Sequence, residues 1–317
     1  MIYIVFFIVL LLAELFYFKI ADRFNIIDKP NLRSSHTQIT LRGGGILFPI
    51  AVLLGFGMGY VGWPLALAVV LVAVVSFVDD IRPLSQLPRL LAHVLAIGLV
   101  LYDLEIVVVG WWWLPVVAVL LIGWTNAFNF MDGINGITVL YALVTLVSFR
   151  FLSDLEAAVP MLDLMGIACL VFAFFNLRKR AKTFAGDVGS VAMALFLGYY
   201  MVKLILSTQQ IGYLLFFAVY GIDAVLTIVN RLRKKENILE AHRSHLYQYL
   251  ANEKKLPHVG VAMGYAVVQL VVNYCTVYLI QQQAFSLVTF VLILVGMSGV
   301  YLGIRYWATR GVNGLID

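Results

Sequence analysis

Residues 63–80 read WPLALAVVLVAVVSFVDD, and this stretch decides the fold. From Trp63 to Val78 it carries no charge and, as a helix, is long enough to cross the hydrocarbon core of a bilayer. It then stops at two adjacent carboxylates, Asp79 and Asp80. Runs of this kind recur along the chain, at approximately 2–20, 43–61, 63–79, 89–104, 107–126, 134–152, 158–176, 188–206, 210–229, 259–280 and 285–305. With 317 residues, 62% of them hydrophobic, and a mean hydropathy of +0.96, the chain lies far outside the soluble range. The expected fold is an all-α polytopic integral membrane protein, a single domain over 1–317 with about eleven transmembrane helices, ten being the alternative.

Charge orients the runs. No basic residue precedes the first one, which carries Glu14 and is followed by Lys19 and Arg23. A cleavable signal peptide has the reverse order, so a retained helix with its N-terminus outside, in the periplasm, is expected. Threading from there puts 21–42, 80–88, 127–133, 177–187, 230–258 and the C-terminal tail inside. All 22 Lys and Arg except Arg150 and Lys203 then fall in those segments or their flanks, as the positive-inside rule requires. Trp111, Trp112 and Trp113 mark an outer interface. The net charge of +5 is spread over inner loops beside lipid headgroups, which argues against a nucleic-acid partner. Cys169 and Cys275 lie within spans without metal-ligand spacing and read as inert packing residues. Gly55, Gly57, Gly59, Gly299 and Gly303 suit close helix packing.

The polar clusters gather on the inner side. Asp79 and Asp80 close the third span, where the negative end of the helix dipole repels both. They read either as solvated loop acids or as ligands whose repulsion a divalent cation offsets, hard Mg²⁺ favouring carboxylate oxygen. Asn126, Asn129, Asp132 and Asn135 recur every three residues, so neighbours face one way along a helix or tight turn. Capping of a helix end explains one amide well and four poorly. Asp187 stands where an N-cap is expected, with Ser190 three residues on. Arg178, Lys179, Arg180 and Lys182 precede it, so helix N–H groups beside basic residues offer a phosphate setting as the alternative. In the longest inner loop, the spacing of Leu239, His242, Leu246 and Tyr249 predicts an amphipathic helix with His242 on its buried stripe. His242, Arg243 and His245 suit a diphosphate, a solvated loop being the alternative. Arg33, His36 and Arg42 of the first inner loop form a basic rim ahead of Gly43, Gly44 and Gly45, which either approach a ligand or only pack. Arg89 and, one turn on, His93 open the fourth span.

Five of these motifs, in this order, resemble the polyprenyl-phosphate N-acetylhexosamine-1-phosphate transferases. They are Arg33-Ser34-Ser35-His36 with Arg42-Gly43-Gly44, Asp79-Asp80, Asn126 to Gly136, Gly186-Asp187 with Gly189-Ser190, and the His242–His245 loop. The family includes enzymes that start O-antigen, enterobacterial common antigen and teichoic-acid linkage synthesis, and the peptidoglycan-precursor translocase. The His-Arg-Ser-His-Leu-Tyr-Gln form looks like the branch that initiates O-chains or capsules. The resemblance implies transfer of a sugar 1-phosphate from a UDP-N-acetylhexosamine to undecaprenyl phosphate, with release of UMP. It also implies Mg²⁺, Mn²⁺ being the alternative, and a bacterial inner membrane with the active site facing the cytoplasm. A homodimer stays open. Carried over residue by residue, it makes Asp79 and Asp80 catalytic and Asp132 and Asp187 metal ligands. Asn126, Asn129, His242, Arg243, His245, Arg33, His36, Arg42 and Arg89 become substrate-binding. The chain departs from the family at Asn135, where many members carry Asp, at His93, where Gln is common, and in its short His loop.

Two other classes compete. An intramembrane Mg²⁺-dependent prenyltransferase also uses paired acids, but the second polar cluster here is mostly Asn. A secondary transporter or flippase expects ionisable residues near the midplane in repeated halves. Glu14, Asp163 and Asp223, the acids away from the span ends, form no such pair.

Overall fold

The computed structural model describes residues 1–30, 35–238, 240 and 242–310. It is 77% helical. The helices are α1 (Ile2–Arg23), α2 (Leu47–Gly57), α3 (Trp63–Ile81), α4 (Gln86–Asp103), α5 (Ile106–Val109), α6 (Trp113–Met131) and α7 (Ile137–Arg150). They continue with α8 (Val159–Asn176), α9 (Gly186–Thr208), α10 (Ala218–Arg233), α11 (Leu246–Gln248), α12 (His258–Gln281) and α13 (Leu287–Thr309). Every expected span overlaps helix, the 107–126 run being divided between α5 and α6. Eight helical segments among the described residues are long and apolar enough to cross a membrane, and Gly44–Gly57 and Ile137–Arg150 are shorter apolar helices. This is an all-α, multi-pass membrane protein.

Local chemistry sets the boundaries. Pro64 occupies the first turn of α3, where its missing N–H costs nothing. Arg82 is extended because Pro83 follows it, and a residue before proline leaves the helical region. The three tryptophans are exposed, and the helix they introduce starts only at Trp113, after the short α5. Helix α9 is the hub, with nearly every residue of its first half buried. It packs on α2, α3, α6 and α7. By contrast, α13 is largely exposed, its buried residues being Tyr301, Arg305 and Ala308.

The ninth span is broken. Residues Ile211–Phe217 wind as a 3₁₀ helix before α10 begins, which frees backbone groups that must each find a partner. Gln269 of α12 supplies them: its Oε1 accepts from the Val219 N–H (3.0 Å) and its Nε2 donates to the Leu215 carbonyl (2.8 Å). The Tyr141 hydroxyl reaches the Phe216 carbonyl at 3.1 Å. Of the packing glycines, Gly55 touches Met161, whereas Gly57, Gly59, Gly299 and Gly303 have open space where a Cβ would go. The close-packing expectation therefore holds for Gly55 alone.

Candidate functional site

The site is built on a backbone contact between the first inner loop and the start of α9. Strands β1 (Ile27–Asp28) and β2 (Thr40–Leu41) pair antiparallel, and Leu41 bridges to Thr183. The Phe184 N–H donates to the Leu41 carbonyl (2.9 Å), Gly44 N–H to Phe184 (2.9 Å) and Gly45 N–H to Ala185 (3.1 Å). A Cβ on Gly45 would lie 2.3 Å from the Gly189 Cα, so the two chains meet at a distance only glycine allows. The glycines thus pack backbone on backbone, and in doing so they deliver Arg42 to the carboxylates.

Those carboxylates form an alternating chain with two arginines. Asp80 Oδ1 accepts from Arg42 Nε at 2.7 Å and from the Asp187 N–H at 3.0 Å; its Oδ2 accepts from the Val188 N–H at 3.0 Å. Arg42 Nη2 lies 3.3 Å from Asp187 Oδ1, and Arg89 Nη2 lies 3.5 Å from Asp187 Oδ2. Arg89 Nη1 continues to Asp79 Oδ2 at 3.2 Å, and Asp79 Oδ1 accepts from the Leu84 N–H. Burial works against the Arg42 charge, yet Asp80 and Asp187 outweigh it and raise its pKa.

Two expectations are corrected here. Asp187 is not the N-cap of its own helix, for α9 begins at Gly186 with Ala185 before it. The cap comes from Asp80 on α3, whose carboxylate answers the positive end of α9. The N–H groups of Asp187 and Val188 are therefore occupied, and a phosphate would not find them free. The repulsion between Asp79 and Asp80 is likewise offset within the chain, by two guanidiniums and a helix N-terminus.

Beside Asp187 lies a cavity of about 250 Å³, whose lining includes Arg42, Asn129, Asp132, Asp187 and, farther along, His36. Asp132 follows the last residue of α6 and accepts a hydrogen bond from the Thr138 hydroxyl. Burial pushes its carboxyl up to about 6, with the Asp187 charge adding and the Thr138 bond opposing. Asn129 accepts from the Ser190 hydroxyl of α9. Asn135 donates to the Arg178 carbonyl at 2.8 Å, which a carboxylate could not do. Asn176 joins the same turn to the same loop, accepting from the Gly136 N–H (2.8 Å) and donating to the Thr183 carbonyl (2.9 Å). The Asn135 departure is thereby accounted for as a staple between two loops.

Other predicted residues stand apart. Asn126 turns back to the Ile122 carbonyl within α6 (2.8 Å), so the three-residue spacing does not bring all four polar groups to one face. The helix expected over 239–249 is not formed: residues 242–244 are non-helical and α11 begins at Leu246. Gln248 Oε1 accepts from the His245 N–H at 3.1 Å, a local stop the periodicity does not show. His245 is buried, its Nδ1 3.3 Å from Asp223 Oδ1. Arg243 pairs with Glu253 at 2.8 Å. Burial pushes the His242 imidazole down to about 4, with His245 and Arg231 adding, so at neutral pH it is a neutral hydrogen-bonding group and not a cation. This segment lies behind Phe130, whose carbonyl takes the Tyr247 hydroxyl at 2.9 Å. His36 packs its ring on Phe184. Arg33 and Leu239 lie outside the described residues.

Asp28, Gln248 and His258 also line the cavity, beyond the residues that the motifs point to. A histidine opening a span directly after Pro257 was the available signal. Among the described residues no group of three or more His, Cys, Asp or Glu is placed to hold a metal ion. Mg²⁺, however, is commonly held by one or two carboxylates with substrate phosphates completing the shell. Asp132 and Asp187, both lining this cavity, one of them raised by burial and by the other's charge, fit that kind of site.

The description "Glycosyl transferase family 4" matches residues 62–205, which include Asp79, Asp80, Arg89, Asn129, Asp132 and Asp187. A probable undecaprenyl-phosphate N-acetylglucosaminyl 1-phosphate transferase of Bacillus subtilis strain 168 is 27% identical over 316 residues, 89% of this chain and 87% of that protein. A phospho-N-acetylmuramoyl-pentapeptide-transferase of Thermotoga maritima is 26% identical over 208 residues, 59% of this chain and 67% of its own length. A protein of the same description from Halalkalibacterium halodurans is 31% identical over 124 residues, 38% of this chain and 37% of that one. The resemblance carried by the five motifs is thereby borne out.

Proposed function

From its likeness to the family-4 glycosyl transferases, we propose that this chain is a polyprenyl-phosphate sugar-phosphate transferase. In full, it moves an N-acetylhexosamine 1-phosphate from a UDP-sugar to undecaprenyl phosphate, releases UMP and so starts a lipid-linked surface glycan. On this reading the eleven expected spans cross the bacterial inner membrane, with the N-terminus outside and the site facing the cytoplasm. One observation carries the reading: Asp79, Asp80 and Asp187 alternate with Arg42 and Arg89 at one end of the bundle, beside the cavity that Asp132 lines.

The chemistry needs little covalent work from the protein. An oxygen of the lipid phosphate attacks the sugar-bearing phosphorus and forms a new P–O bond. The bond from that phosphorus to the bridging oxygen breaks, and UMP leaves with the electron pair. Both reactants are anionic, so the protein must lower repulsion and hold them in line. Arg42 and Arg89 bind phosphate oxygens. Asp79, paired with Arg89, takes the proton of the lipid phosphate. Asp80 holds Arg42 and the first turn of α9 in position. Asp132, Asp187 and Asn129 would hold Mg²⁺, which supplies charge neutralisation on the phosphates.

The test is UMP release by purified protein supplied with UDP-N-acetylhexosamines. Release that requires both undecaprenyl phosphate and Mg²⁺ is expected. Release without the lipid, or vesicle uptake of substrate with no UMP formed, would refute the proposal.

A further inference from the structure

Asp187 has a guanidinium on each carboxylate oxygen, and the two arginines open onto different surroundings. Arg42, on Oδ1, lines the polar cavity that Asn129 and Asp132 share. Arg89, on Oδ2, lines a narrow crevice between α3, α4 and α9. Its walls are Val72, Val75, Ala92 and Val191, with Ser76 and His93 as the other polar members. Next to it, α3 and α4 leave Val74, Val78, Leu90 and Val94 between 43% and 56% exposed, the surface that hydrocarbon covers in a bilayer.

We infer that the two arginines divide the substrates: Arg42 receives the diphosphate of the nucleotide, and Arg89, with His93 beside it, receives the phosphate of the prenyl acceptor. The inference rests on the transferase reading and adds which residue serves which substrate. A prenyl phosphate is an anion on a long apolar tail, so its site needs a cation at the inner end of a path open to lipid. Arg89, its side chain 39% exposed, adjoins the exposed apolar face of α3 and α4, and Arg42 faces the polar cavity instead. The arrangement also suits the reaction. With the acceptor on one side of Asp187 and the nucleotide on the other, the lipid oxygen approaches the sugar-bearing phosphorus opposite the bond to UMP. The acceptor proton has Asp79 at hand, 3.2 Å from Arg89.

Binding separates the two roles without turnover. Purified wild type, Arg42→Ala, Arg89→Ala, Arg89→Lys and His93→Ala would be titrated with UDP plus Mg²⁺ by calorimetry. Undecaprenyl phosphate retention would be followed by native mass spectrometry. Arg89→Ala should lose about tenfold or more in lipid retention, the scale of a charge-assisted contact, and keep UDP binding within about threefold. Arg42→Ala should do the reverse. Arg89→Lys should recover part of the lipid binding, which a misfolded variant would not, and His93→Ala should weaken lipid retention alone. Equal losses for both ligands in either arginine variant, or a reversed pattern, would overturn the inference. So would phosphatidic acid or inorganic phosphate displacing undecaprenyl phosphate at equal concentration. A wild type that binds neither ligand and releases no UMP would instead refute the transferase reading itself.

Discussion

Asp187 and Asp223 are both carboxylates on helices of the bundle, and their surroundings are opposite. Asp223 is fully buried. Its Oδ2 takes the Tyr265 hydroxyl at 2.7 Å, and its Oδ1 takes the Leu246 N–H at 3.0 Å, the Tyr301 hydroxyl at 3.1 Å and the Thr227 hydroxyl at 3.2 Å. Arg305 of α13 joins through Tyr301 and Thr227. Asp187 is in reach of solvent and meets two guanidiniums at 3.3 and 3.5 Å. Short bonds from many fixed donors tie α10, α12, α13 and the 242–248 segment together. Long bonds from two charged arms can be exchanged for those of an incoming anion or cation. The first arrangement is architecture, and the second is what a ligand site needs before its ligand arrives.

Substitution at the two positions should therefore fail in different ways. Asp187→Asn should reduce UMP release by about 10²–10³-fold, because it weakens the hold on the cation that would neutralise the developing phosphate charge, with the melting temperature in detergent nearly unchanged. Asp223→Ala strands several buried donors and should cost about 3 kcal/mol or more, read as a lower melting temperature and loss of folded protein. If Asp187→Asn unfolds the chain while Asp223→Ala melts like wild type, the contrast is wrong.

The glycine contact beneath Asp187 comes next in size. Gly45→Ala would set a Cβ against the backbone of Gly189 and 2.8 Å from the Ala185 carbonyl oxygen. Neither neighbour is a flexible side chain. Overpacking of this kind costs about 1–3 kcal/mol, and because it pushes Arg42 off Asp80 and Asp187, activity should fall more steeply than stability. Gly57→Ala, with open space around it, is the matched control and should leave both unchanged. Asn135→Asp should lower stability by about 1–3 kcal/mol, the cost of leaving buried partners unpaired. The Arg178 carbonyl would lose its donor and face a carboxylate oxygen, and melting curves would show it.

The contrast also marks what the sequence could reveal. Each apolar run lies on a helix because the bilayer demands length and hydropathy, and both are local properties. The gathering of Asp79, Asp132 and Asp187 was legible for a related reason: helices crossing in alternate directions return every second loop to one side. The hub at Asp223 was not legible, since Tyr265, Tyr301 and Leu246 come from three distant segments and nothing local announces their meeting. The cap that Asp80 gives α9 was hidden in the same way, because it joins helices 107 residues apart. Asn135 was legible as a departure, but its cause lay in the carbonyl of Arg178, 43 residues away.

The smallest expected effect is a pH dependence at the edge of the hub. His242 is half-buried beside His245 and Arg231, with Glu236 and Asp223 as the nearby acids, and its imidazole lies near 4, against about 6.5 in an unfolded chain. Between those values the unfolded state binds the extra proton. The contribution to stability is therefore complete above about 6.5 and is lost as pH falls toward 4. His242→Gln should flatten this part of the profile in melting curves taken between pH 4 and 7, by a small amount because the ring is partly solvated. Across pH 6 to 8 the imidazole keeps one protonation state, so UMP release by the wild type and by the variant should follow the same pH curve, offset by a constant factor. A step near 6.5 that only the wild type shows would mean His242 does carry charge during the proposed reaction. The segment behind Phe130 would then belong with Asp187 and not with Asp223.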